Sequence, residues 1–127
     1  MNLPEITNSN FVNFLNSKEI IQETVEQIMK DFGLFGVVIV FSGNTAEAYA
    51  ELHPQLVRQI TVLLDSDISR FLSVMYQVDI SEKDIVKTAN ELPDYNHVEV
   101  VAHQIIVRDL KKVLTRHYFK SQAAQNK

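Results

Sequence analysis

The sequence predicts a mostly α domain of the α+β class, with about four helices packed around one buried β-strand near residues 37–41. Three observations carry that prediction. Apolar residues recur at three- and four-residue spacings along most of the chain, the mark of amphipathic helices. One β-branched and aromatic run, Val37–Phe41, interrupts the pattern. The chain's three glycines, Gly33, Gly36 and Gly43, all stand beside that run.

Composition sets the outer bounds. A chain of 127 residues has the length of one domain, and residues 1–127 are read as a single one, with poorly ordered ends at 1–10 and 121–127. Hydrophobic residues at 46% and charged residues at 22% fit a folded globular domain and exclude wholesale disorder. No cysteine is present, which removes disulfides, thiolate nucleophiles and cysteine-based zinc sites together. The first residues show no signal peptide, and no apolar run approaches the ~20 residues of a membrane span, so a cytoplasmic protein with no membrane partner is expected.

Residues 1–16, with Phe11, Phe14 and Leu15, read as a short docking segment. Asn16 is the expected N-cap of the first helix, with Glu19 three residues on and a staple from Leu15 to Ile20. Ile21, Val25, Ile28 and Phe32 make its apolar stripe, and Gly33 stands where a helix terminates. Val37–Phe41 is apolar at odd and even positions alike, so the strand should be covered on both faces. Its main chain needs a pairing partner, and the candidates are the N-terminal segment, Val98–Val107, or the same strand of a second subunit.

From Ala46 a helical pattern runs for about thirty residues, through Val57, Ile60, Leu64, Ile68, Phe71 and Met75. Ile60–Leu64 is nearly apolar all round, which predicts a central, buried helix. Pro54 kinks or restarts it. Asp65-Ser66-Asp67 offers a cap, but the unbroken stripe favours continuity. Ser81 caps a short helix that ends near Leu92-Pro93. Asn96 and Glu99 then open a last helix, whose apolar face turns partway along.

Val40 to Thr45 enters a turn that resembles the phosphate-binding loop of the flavodoxin family. Ser42, Gly43, Asn44 and Thr45 match the last four residues of that loop, where hydroxyls and amides hold the flavin mononucleotide phosphate. Where the family has a further hydroxyl residue, this chain has Val40. The resemblance implies a phosphate or flavin site; the residues by themselves also read as a glycine turn with Asn44 or Thr45 capping the next helix.

Charge is unevenly distributed. Residues 108–127 carry net +5 and residues 1–107 net −9. Arg108, Lys112, Arg116 and Lys120 recur every four residues, with Lys111 alongside. Such a row is read as a solvated face, a site for an acidic protein or subunit, or a track for nucleic-acid phosphates; the overall charge of −4 opposes the last. His103, one turn after Glu99, is expected to pair with it in or beside the core. No catalytic motif, cofactor or metal-ligand set is read from the sequence. The expected role is a small, soluble, non-enzymatic interaction or assembly module that forms a homodimer. The alternatives are a ligand at Ser42–Thr45 or nucleic acid at the basic helix.

Overall fold

The computed structural model describes residues 5–15 and 17–125. Five helices follow in order: α1 Lys18–Gly33, α2 Ala48–Ser66, α3 Ile68–Val78, α4 Glu82–Glu91 and α5 His97–Gln125. Single 3-10 turns cover Phe11–Phe14 and Thr45–Glu47. The centre is α5, on which α1, α2 and α4 pack. Every residue from Val100 to Val107 is buried, which explains why its apolar positions change direction: each direction meets a different neighbour. Ile60–Leu64 of α2 does not hold that place, since Thr61, Val62 and Leu64 are exposed.

Local chemistry sets most helix ends. Ser17 caps α1, its hydroxyl accepting from Ile20 N; the expected cap, Asn16, lies outside the described residues. Ser81 accepts from Asp84 N at 3.1 Å and starts α4. At α5 the capping box closes both ways, Asn96 Oδ1 with Glu99 N at 2.9 Å and Glu99 Oε1 with Asn96 N at 3.0 Å. Gly33 is the last residue of α1 rather than its stop. The reversal falls at Gly36, whose φ of 77° favours a residue without a Cβ, and there Val37 N donates to Phe32 O at 3.1 Å. The long helix expected from Ala46 is broken. Asp67, at φ −156°, separates α2 from α3 and accepts from Arg70 N at 3.1 Å. Pro54 lies within α2 without ending it.

No strand occurs among the described residues, and Val37–Phe41 corrects the prediction in two respects. It is extended but covered on one face only: Val37 and Ile39 are buried, whereas Val38 and Val40 are 74% and 62% exposed. Among the described residues, Val40 pairs with a helix side chain and not with a second strand. Gln55 of α2 donates from Nε2 to Val40 O and accepts at Oε1 from Val40 N, both at 2.8 Å. One turn earlier, Glu51 Oε2 accepts from Ser42 N at 2.8 Å. Alternate residues of an extended chain lie about 6.6 Å apart and i, i+4 residues of a helix about 6 Å, so one helix face keeps step with the segment for two positions. Replacing Gln55→Ala should cost about 1–2 kcal/mol in urea unfolding, because both bonds to Val40 go at once. A loss under about 0.3 kcal/mol would show that the pairing contributes nothing.

Candidate functional site

The turn that resembles a phosphate loop does gather donors, but they serve a carboxylate of this chain. Ser42 N and Ser42 Oγ both donate to Glu51, the hydroxyl at 2.6 Å from Oε1. Asn44 N donates to Ser42 Oγ at 3.1 Å, and Gly43 supplies the turn with φ 96°. Asn44 precedes only the short Thr45–Glu47 turn and makes no side-chain cap. Thr45 lines a cleft with Leu15, Ile21, Ala48 and Tyr49. A phosphate arriving at Ser42 would have to displace Glu51 and bear its charge.

The basic row of α5 also meets partners inside the chain. Helices α1 and α5 run antiparallel, and α1 carries its own column at the same spacing: Glu19, Glu23, Gln27 and Asp31. Lys112 Nζ lies 3.2 Å from Asp31 Oδ2, from Asp109 Oδ1 and from Gln77 O. Arg116 donates to Gln27 Oε1 at 2.7 Å. Arg108 reaches past α1 to Asp79, donating to its carboxylate at 3.0 Å and its carbonyl at 3.1 Å. Asp79 ends α3 at φ 70°, a left-handed position that aspartate tolerates better than most residues. Lys120 acts on Glu23 through its charge. Lys111 lies apart, in a groove with Lys87 and Asp84.

The Lys112 seam is buried and electrostatically asymmetric. Asp31 and Asp109 are both inaccessible to solvent. Burial pushes the Asp109 carboxyl up to about 8, helped by the neighbouring Asp31 carboxylate and opposed by Lys112. Asp109 is therefore held protonated at neutral pH, and Lys112 makes an ion pair with Asp31.

His103 does not pair with Glu99. Its Nδ1 lies 2.7 Å from Tyr49 Oη, which is 3.1 Å from Tyr95 Oη, and Phe11 stands edge-on to the imidazole. His53 stacks on Tyr49 and lies 3.0 Å from Glu99 O. Burial, and then the charge of His53, lowers His103 to about 4; burial and Tyr95 raise Tyr49. His103 is thus neutral at pH 7 and packs as a core group. The spacing that brings Tyr49 and His53 onto one face was readable. The match of that face to His103 was not, because it depends on how α2 lies on α5.

The largest departure concerns α3. Of the stripe expected to continue from α2, Leu64 and Ile68 are exposed, while Phe71 and Met75 pack half-buried against the core. Ile68, Leu72 and Tyr76 are 53%, 59% and 89% exposed, while Val74 and Val78 are the buried residues of α3. Phe71 and Met75 flank the exposed row and are half-buried. Among the described residues no helix is long and apolar enough to cross a membrane. No family model, curated protein or solved structure matches the chain.

Proposed function

We propose that this chain is a non-enzymatic protein-interaction module that assembles as a homodimer through α3. The observation that carries the reading is the outward row Ile68, Leu72 and Tyr76. Large apolar side chains one turn apart along an exposed helix are a costly arrangement unless another surface covers them.

A second copy fits for reasons of symmetry and charge. The row is centred on Leu72, so an antiparallel copy sets Leu72 against Leu72 and Ile68 against Tyr76. The one base of α3, Arg70, is already bonded to Asp67 at 3.2 Å, so its charge needs no new partner at the interface. The other two readings gain less support. Glu51 stands where a phosphate would bind at Ser42–Thr45, and the Arg108, Lys112 and Arg116 side chains are bonded within the chain.

Sedimentation across a concentration series tests the proposal. The expected mass rises from the 14.6 kDa of one chain to twice that. Leu72→Glu and Tyr76→Glu should hold the protein at one chain without lowering its melting temperature, since both side chains face solvent. A parent protein that stays at one chain throughout, or a Leu72→Glu variant that associates equally well, overturns it.

A further inference from the structure

We propose that Glu19, Glu23 and His117 form a divalent-metal site of the zinc class, clipping the start of α1 to the outer half of α5. Glu19 and Glu23 lie one turn apart on one face of α1, and His117 meets them from the antiparallel helix. One ligand atom from each of the three lies within 4.8 Å of the other two. His117 Nε2 already contacts Glu23 Oε2. Among the described residues, the Glu19 carboxylate makes no hydrogen bond or ion pair, although it faces this contact.

Ligand chemistry points the same way. Two carboxylates and one imidazole supply three donor groups that converge from two helices. Zinc bonds of about 2.0–2.2 Å to nitrogen and oxygen place tetrahedral ligands roughly 3.3–3.5 Å apart, which a rotation of the exposed Glu19 side chain can reach. An imidazole among the donors favours zinc-type ions over magnesium or calcium, which prefer oxygen alone. The open side leaves a position for water. Arg116 and Lys120 lie close enough to hold Glu23 below its ordinary pKa, after the larger effect of the His117 hydrogen bond. They weaken attraction for a cation, but they keep the ligand deprotonated and ready.

Tag-free protein, stripped with chelator, tests the site by titration with Zn2+ and with Co2+. Zinc should raise the melting temperature by several degrees while magnesium does not, and cobalt should show the intense visible bands of a four- or five-coordinate ion. Glu19→Gln should fold like the parent, having no protein contact to lose, and should abolish both responses, as should His117→Ala. Three results overturn the proposal: no thermal response to zinc in the parent, a cobalt spectrum no different from the aqueous ion, or responses that survive Glu19→Gln. The first two leave His117 as a partner of Glu23 alone; the third puts the metal elsewhere.

Discussion

Lys112→Met is expected to destabilise the fold by about 3 kcal/mol or more, because it strands the Asp31 charge in a site closed to solvent. The methionine occupies much of the lysine's volume, so the loss reports charge rather than a cavity. Gln27 still donates to Asp31 Oδ1 at 2.9 Å, which holds the effect to the lower part of the range for broken buried pairs. For a chain of this length the melting temperature should fall on the order of 10 °C. The double variant Asp31→Asn with Lys112→Met should recover most of that loss, since removing both charges leaves neither unpaired. If the single variant melts within a degree or two of the parent, the seam is not holding α1 to α5.

Raising the pH from about 4 to about 8 should weaken the fold by several kcal/mol through Asp109 alone. The sign follows from where the proton sits. The unfolded carboxyl releases it near 3.8, the buried one near 8, so between those values the native state holds more protons than the unfolded state. The stabilising contribution is complete below the lower value, declines through the window, and is gone above the upper one. A tenfold difference in proton affinity between the two states corresponds to about 1.4 kcal/mol. Asp109→Asn removes the titration. Its urea midpoint should lose less with rising pH than the parent's, and above pH 8 it should be the more stable of the two. Parallel profiles for the two proteins would show that Asp109 is not held protonated.

The parts legible in the sequence were those set by neighbours in the chain. The Ser81 cap and the Asn96–Glu99 box depend on residues three apart, and both are found as read. What could not be read is which surfaces meet. Val37–Phe41 has the composition of a strand, yet Val40 is paired through its main chain with Gln55 of a helix, which no β pattern signals. The four-residue rhythm of Arg108, Lys112 and Arg116 was visible, and so was that of Glu19, Glu23, Gln27 and Asp31. The pairing of Lys112 with Asp31 and of Arg116 with Gln27 required knowing that α1 and α5 lie antiparallel. At α3 the spacing placed Phe71 and Met75 on the packed side, but the break at Asp67 left Ile68 on the solvent face with Leu72 and Tyr76. The contact of Glu23 with His117 escaped notice for the same reason, since the two stand 94 residues apart.

The bond between Gln55 and Val40 also protects the protein from its own sequence. Val37 to Phe41 is short, uncharged, β-branched and free of proline, the composition from which cross-β zippers assemble. In the fold Gln55 occupies both main-chain groups of Val40, and the Val37 and Ile39 side chains are locked in the core. Loss of α2 from that contact hands the segment its free N–H and C=O groups together with all five apolar side chains. Partial unfolding at this end of the molecule is then a route to fibrils, and a single glutamine side chain is part of what keeps it closed.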